Sequence, residues 1–362
     1  QAGLYDILRH ELVWGQIHDS FLGVGVIALL IWRPRLIEEI GRKQWTVWFL
    51  TGIVLLLLVI IVILDTATST TALQVGNIPI QVTELLKVTM LLFLAWVIDR
   101  EGSSIQQPQH VVMGIVIPPL SLLLPSGVFA FISATLLFAI GDLGSILILM
   151  PLFGLLLYIG FDDHSFFTLT FGTTIVIIVV TYLLFHLGVS LPTHVVNRWL
   201  AFLDPWSLEL VEGIPIVDGI GQQLQHGIYA ITAGSMLGSG IGFGYPHIIP
   251  AVWSDFVWAA IVEENGYLIT VALLAIYCII FWRIVRVALL LQDEMRFERM
   301  LIAGVAIHLV LQLFFMTAGT TKLFVMTGVT VPFLSHGGVA LIVNLAEIGL
   351  VLALSQRLEG AH

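Results

Sequence analysis

The stretch VWSDFVWAAIVEENGYLITVALLAIYCIIFW, residues 252–282, reads almost throughout as one membrane-buried helix. A run of 18 or more apolar residues spans a hydrocarbon core of about 30 Å, and three acids interrupt this run. Asp255 stands near its start, flanked by Trp253 and Trp258, and Glu263 and Glu264 follow. A carboxylate is costly in such surroundings, so each one needs a purpose. On an unbroken helix Glu263 lies roughly 80° around from Asp255 and ~12 Å along the axis, and Glu264 falls on the opposite face. The three do not form a paired-carboxylate site unless the helix bends. Asp255 therefore reads alone.

Similar runs recur along the 362-residue chain, which is 58% hydrophobic and 10% charged, with a mean hydropathy of +1.03. A soluble domain carries about 25% charged residues, so that class is excluded. The composition predicts an all-α polytopic membrane protein, because in lipid only helices and closed barrels satisfy every backbone polar group. The ~10-residue alternating segments of a barrel are not visible. Nine hydrophobic segments are expected, at 13–32, 44–64, 82–99, 110–141, 143–160, 165–187, 254–282, 300–318 and 331–355, in a single transmembrane domain covering 1–362. The fourth is too long for one plain span and contains Pro118, Pro119 and Pro125, which predicts a kink or re-entrant stretch. Cys278 is the only cysteine, so no intramolecular disulfide is expected. The 11 histidines form no H-E-x-x-H motif or Cys/His cluster, and no Walker loop or G-x-S-x-G motif is present. Metal-hydrolase, nucleotide-binding and serine-hydrolase readings thus lack support, and nothing points to nucleic acid.

Lysine and arginine set the orientation. Arg33, Arg35, Arg42, Lys43, Arg100, Arg283, Arg286, Arg296, Arg299 and Arg357 fall in loops on one side, 10 of the 14 basic residues. The positive-inside rule makes that side cytoplasmic, together with the C-terminus, and puts residue 1 outside. Nine spans with an external start lead one to expect a further helix ahead of Gln1. Arg9, Lys87, Arg198, Lys322 and Asp255 then lie on or near the outer face, beside a long external loop of about 188–253. That loop is too apolar for a hydrated linker and is expected to pack onto the helices.

Four groups carry chemistry. In IQVTELLKV (80–88), Glu84 and Lys87 share a helix face; they read either as a self-neutralising pair or as the polar wall of a cavity. Asp255 reads as a helix-capping carboxylate or as a general base in an outward pocket. Arg198, in VNRWLAFLDPW (196–206), reads as a partner for Asp204 or as a phosphate clamp suited to its forked guanidinium. In TGVTVPFLSHGGVALIVN (327–344), glycine and proline at a helix entrance allow close backbone approach.

Taken in order, these stretches resemble the SEDS family (shape, elongation, division and sporulation), the RodA and FtsW group, over nearly the whole chain from residue 9. IQVTELLK resembles Q-P-S-E-L-x-K, and IGDLGS (140–145) resembles Q-P-D-L-G-T. FLDPW followed by GIGQQLQHGIYAITAGSMLGSGIGFG resembles F-L-D-P and the glycine-rich stretch after it. WSDFVWAAIVEENG resembles H-T-D-F-I-F-A-V-I-x-E-E-L-G, and TGVTVPFLSHGG resembles T-G-x-x-L-P-F-x-S-Y-G-G. Val82-Thr83, Ile140-Gly141 and His336 depart from the pattern, and about a dozen extra residues separate Arg100 from Asp142, which marks a divergent member.

The resemblance implies a ten-span helical bundle, of which about nine spans are present, in the bacterial cytoplasmic membrane. It implies polymerisation of lipid II, an undecaprenyl-pyrophosphate-linked disaccharide-peptide, into glycan strands at the extracytoplasmic face. A class B penicillin-binding protein (a transpeptidase) is the implied partner, besides membrane lipids. Asp255 becomes the base. Lys87 and Arg198 are expected near the pyrophosphate, with a divalent cation, Mg2+ or Mn2+, as an optional helper, and Glu84 orients Lys87. Asp142, Ser335, Gly337 and Gly338 are expected to shape the cavity, and Glu263, Glu264 and Lys322 to have structural roles, the two glutamates holding helices together. Two alternatives stand beside this: a flippase or transporter for a lipid-linked precursor, and a non-catalytic scaffold for a cell-wall synthase.

Overall fold

The computed structural model of the chain describes residues 2–68, 73–75, 78–101, 110–112, 115–117, 120–162, 164–187, 193–211 and 213–359. Within them lie helices α1 (Ala2–Trp32), α2 (Arg35–Gly41), α3 (Gln44–Thr68), α4 (Val82–Glu101), α5 (Leu120–Ala139) and α6 (Leu143–Phe161), then α7 (His164–His186), α8 (Thr193–Leu203), α9 (Gln222–Ala233), α10 (Val257–Leu290), α11 (Arg296–Thr320) and α12 (Val339–Glu359). Three antiparallel hairpins join them: β1 (Leu73–Val75) with β2 (Ile78–Ile80), β3 (His110–Val112) with β4 (Ile115–Ile117), and β5 (Leu210–Val211) with β6 (Ile214–Pro215). Among the described residues, six helices are long and apolar enough to cross a membrane: parts of α1 and α3, and α6, α10, α11 and most of α12. Shorter apolar stretches lie in α5 and α7. The protein is a multi-pass, helical membrane protein.

Several boundaries differ from the sequence-based expectation. The segment at 110–141 is not one span but the β3–β4 hairpin followed by α5, with Pro125 inside the helix; Pro118 and Pro119 lie outside the described residues. The last segment becomes helical only at Val339. Pro332 and the Gly337-Gly338 pair keep the chain before it in turns, with Phe333 at φ 66° and Gly338 at φ 46°. Within 188–253 the described residues include α8, the β5–β6 hairpin and α9.

The chain forms two compact units, one of Gln1–Gly172, Arg283–Leu309 and His336–His362, the other of Thr173–Trp282 and Val310–Ser335. In the first, α1 packs along α12, α3 packs on α4, and α4 packs on α6. Most of α4 is buried, including Glu84 and Lys87, which fits a helix apolar on all sides. Two buried acids hold distant parts of this unit together. Glu347 on α12 meets His308 Nδ1 on α11 at 2.7 Å, and Glu298 on α11 takes Arg42 at 2.9 Å.

The second unit is organised by a break in α10. Gly266 (φ 75°, ψ 175°) is not helical. In an intact helix the N–H groups of Tyr267 and Leu268 would reach the carbonyls of Glu263 and Glu264. Here they donate instead to Ser235 O (2.9 Å) and Met236 O (3.2 Å), while Glu263 O and Glu264 O accept from Ser239 N and Gly240 N, both at 2.9 Å. The segment 235–240 thus satisfies these four backbone groups at the break, as a low-dielectric environment demands. Contact is so close that a Cβ on Gly266 would stand 2.4 Å from Gly238 N, and one on Gly238 (φ 79°) 2.2 Å from Glu264 O.

Gly238→Ala and Gly266→Ala each force both a left-handed φ and a backbone overlap, a combined cost of about 2 kcal/mol or more. Each should lower the apparent melting temperature of the purified protein in detergent. Gly52→Ala, in α3 with nothing near the added Cβ, should leave it unchanged or raise it. Equal melting of all three would contradict the described packing.

Candidate active site

Asp255 does not lie in or cap α10. Phe256 caps it, its carbonyl accepting from Ala259 N at 3.0 Å, and Phe256 is wholly buried. Its ring joins an apolar cluster with Leu224, Ala230, Ile249 and Ala259. Gly227 on α9 lies against that ring so closely that a Cβ would come within 2.4 Å. With Phe256 anchored, its neighbour Asp255 is left half-buried on the polar side of the same turn.

The two carboxylate oxygens of Asp255 have different neighbours. Oδ1 accepts from Ser254 Oγ at 2.6 Å and lies 3.5 Å from Gln223 Nε2, at the outer limit of a hydrogen bond. Oδ2 faces Gly328. A methyl on that glycine would stand 4.0 Å from Asp255 Oδ2 and 3.9 Å from Arg198 Nη2, so a carboxylate and a guanidinium address one space. The cavity lined there by Asp255, Met326 and Gly328 holds about 10 Å³, and at φ 69° Gly328 is the residue that the backbone favours.

The loop carrying Gly328 is pinned on four sides. Arg198 Nη1 donates to Met326 O at 2.9 Å. Gln312 Nε2 donates to Thr330 O at 3.1 Å, and Tyr277 OH donates to Pro332 O. Ser335 Oγ accepts from Val331 N at 2.7 Å and donates to Ser254 O. That last bond ties the loop to the residue just before Asp255. Alongside lies a groove of about 420 Å³, with Asn197, Arg198, Phe202, Gln222, Gln223 and Pro250 in its wall. Asn197 Oδ1 is buried there without a hydrogen-bond partner. The groove combines amides, a cation and apolar surface, a lining suited to a polar ligand with apolar faces.

Of the residues singled out from sequence, Asp255, Arg198 and Ser335 meet here. Glu263 and Glu264 are elsewhere in the same unit, and their partners are loop backbone rather than another helix: Glu263 Oε1 accepts from Tyr245 N at 2.9 Å and Glu264 Oε1 from Gly242 N at 3.1 Å. The Arg198–Asp204 pairing is not what the geometry presents. Asp204 Oδ1 instead accepts from Trp206 N at 3.1 Å. Lys322 lies 4.9 Å over the Trp206 ring. Gln223, Ser254, Gln312 and Gly328 did not stand out in the sequence. The glutamine-rich GQQLQ run, beside a glycine-rich loop, was the one signal for Gln223.

The remaining candidates belong to the first unit. Lys87 Nζ meets Glu84 Oε1 at 2.6 Å, with only 2% of the lysine side chain exposed. Glu84 Oε2 is buried without a hydrogen-bond partner. Asp142 caps α6, accepting from Ser145 N at 2.9 Å and Ser145 Oγ at 2.7 Å. Gly338 faces Asp19 Oδ2, and His336 Nδ1 lies 3.1 Å from Gln16 Oε1. Among the described residues no three His, Cys, Asp or Glu side chains converge as a metal cage.

A bundle of membrane-crossing helices, with one carboxylate and one guanidinium facing a common space beside a polar groove, defines a multi-pass membrane protein with a charged, polar site. The family model FTSW_RODA_SPOVE, described as "Cell cycle protein", matches residues 10–360. The chain belongs to this FtsW/RodA/SpoVE family.

Among its relatives, the peptidoglycan glycosyltransferase RodA of Mycobacterium tuberculosis (strain ATCC 25618 / H37Rv) is 26% identical over 96% of this chain and 71% of that protein. A probable peptidoglycan glycosyltransferase FtsW of Thiomicrospira cyclica is 29% identical over 95% of this chain and 82% of that protein. Among solved structures, a chain of a peptidoglycan synthase complex aligns with a TM-score of 0.68 and 23% identity, covering 95% of this chain and 89% of that one. The rod shape determining protein RodA of Thermus thermophilus aligns at 0.60 and 20%, covering 95% and 87%. At these identities the structural likeness establishes the fold.

The buried Glu84–Lys87 pair has a stability consequence. Lys87→Met leaves a buried carboxylate without its ammonium partner and should cost about 3–5 kcal/mol, whereas Glu84→Gln with Lys87→Met should recover most of that loss. Thermal melting in detergent checks this, and a double variant no more stable than the single one would contradict it.

Proposed function

We propose that this protein is a peptidoglycan glycosyltransferase that polymerises lipid II at the extracytoplasmic face of the bacterial cytoplasmic membrane, with Asp255 as general base. The observation that carries the proposal is the space in front of Gly328, faced at once by Asp255 Oδ2 and the Arg198 guanidinium. The names of the relatives supply the reaction class. Under this reading an acceptor sugar hydroxyl attacks the anomeric carbon of the donor. Its oxygen bonds to that carbon as the bond to the lipid pyrophosphate breaks, and the electron pair leaves with the pyrophosphate. The hydroxyl proton passes to Asp255, a transfer that a positioned side chain accelerates by about 10²–10⁴-fold. Inversion needs one base opposite the leaving group, so a single carboxylate suffices, by analogy with glycosidases.

Arg198 answers the charge that builds on the leaving group. Its second nitrogen is held on Met326 O, which orients the fork. Lys87, kept by Glu84, is proposed to contribute to the electrostatics of the pyrophosphate. Asp142 is proposed to support the site only as the cap of α6. Gly337 and Gly338 are proposed to leave room in the cavity wall. A divalent cation, Mg2+ or Mn2+, would have to arrive with the pyrophosphate, since the donor set around Asp255 includes one carboxylate and does not fit a protein cage. A class B penicillin-binding protein is the proposed partner, and a cytoplasmic C-terminus is proposed from the basic loops by the positive-inside rule.

Transport is the weaker reading. Transporters use the unwound backbone of broken helices to coordinate their cargo. At the break near Gly266 the carbonyls of Glu263 and Glu264 already accept from Ser239 N and Gly240 N. A scaffold role gives no reason for the Asp255–Arg198–Gly328 geometry.

Purified protein with its partner transpeptidase, given lipid II, should lose glycan polymerisation by about 100-fold or more on Asp255→Asn, with melting unchanged. Wild-type polymer yield from Asp255→Asn and Asp255→Ala would sink the proposal.

A further inference from the structure

The unequal surroundings of the two Asp255 oxygens assign them different tasks. A carboxylate that turns freely about its last torsion presents either oxygen to a substrate. Here Oδ1 is engaged by Ser254 Oγ and approached by Gln223 Nε2, whereas Oδ2 faces the space shared with Arg198. The Ser254 hydroxyl has one hydrogen and two acceptors in reach, Ala251 O at 3.0 Å and Asp255 Oδ1 at 2.6 Å. The shorter contact is the one to the carboxylate, as expected for a charge-assisted bond.

Gln223 is itself fixed. Its Nε2 carries two hydrogens and donates one to Pro250 O at 2.9 Å, which leaves the other for Asp255. It sits in the first turn of α9, and its neighbour Leu224 packs in the same apolar cluster as Phe256, the neighbour of Asp255. The cluster thus sets the separation of Gln223 and Asp255 from below, through Leu224 and Phe256.

We propose that Gln223 is a positioning residue for the base. With Ser254 it holds Oδ1, so that Oδ2 alone is presented to the acceptor hydroxyl. The proposal rests on the reading of Asp255 as general base and assigns which atom receives the proton. Both side chains act through Asp255, so their loss should slow the chemical step and spare substrate binding.

The test measures kcat and KM for lipid II polymerisation by the purified protein with its partner, alongside melting temperature. Gln223→Met, equal in length but without an amide, and Ser254→Ala should each lower kcat by about tenfold or more with KM within about twofold, since a misplaced reacting group costs up to about 10²-fold. Ser254→Thr restores the hydroxyl and should return kcat close to wild type. Wild-type kcat in both Gln223→Met and Ser254→Ala, with Asp255→Ala inactive, overturns the positioning role and leaves the base reading standing. An active Asp255→Ala removes the base and this proposal with it. A raised KM at unchanged kcat in Gln223→Met would make Gln223 a substrate contact and also overturn the proposal. If Gln223→Met melts early, Ser254→Ala and Ser254→Thr decide the outcome by the same criteria.

Discussion

The contact of Gly238 with Gly266, backbone against backbone, is the constraint on which the rest of the second unit depends. It breaks α10 and feeds the released carbonyls and N–H groups to segment 235–240. Once that exchange is made, the glycine-rich stretch is no longer a loop free to move. The side chains of Glu263 and Glu264 extend the same clamp by accepting from Tyr245 N and Gly242 N. The clamp holds α9 at one end and the start of α10 at the other. Between them Phe256 fills the apolar cluster, and Asp255 is thereby held at the cluster's edge. Backbone packing thus sets where Asp255 stands in the fold.

The same economy governs the polar residues elsewhere. Lys87 has Glu84, Glu347 has His308, and Glu298 has Arg42. Each pairing offsets part of the desolvation that burial imposes, and breaking one exposes that cost. Around Asp255 the arrangement differs. One oxygen has hydrogen-bonding neighbours and the other faces Gly328 beside the Arg198 guanidinium. Glu84, Glu263 and Glu347 likewise keep one carboxylate oxygen without a hydrogen bond, so what sets Asp255 apart is the guanidinium that shares the space before Gly328, an arrangement that suits the base proposed for it.

The class of the fold was legible because repeated apolar runs with so few charges have no stable alternative to crossing a membrane. Asp255 was legible because its cost there is high. Arg198 stood out as one of only four basic residues outside the loops that the positive-inside rule assigns to the cytoplasm. The break at Gly266 was not legible: a glycine in an apolar helix costs only about 1 kcal/mol, and the bonds that compensate come from residues some 30 positions earlier. Two further elements were misread for related reasons. The β3–β4 stretch is rich in valine and isoleucine, which suit a strand and a membrane helix alike. The turns at 331–338 sit within a run whose hydropathy alone reads as helix. Ser254 adjoins Asp255 in the sequence, whereas Gln223 and Gly328 come from distant stretches that only folding brings to the carboxylate.

The most direct test of Asp255 as the base is a structure of the protein and its partner transpeptidase holding an unreactive lipid II analogue and an acceptor glycan. The account predicts the acceptor hydroxyl about 3 Å from Asp255 Oδ2, with the pyrophosphate toward Arg198 and Gly328 left clear between them. An acceptor hydroxyl bound at another acid, with Asp255 turned away from both sugars, would contradict it.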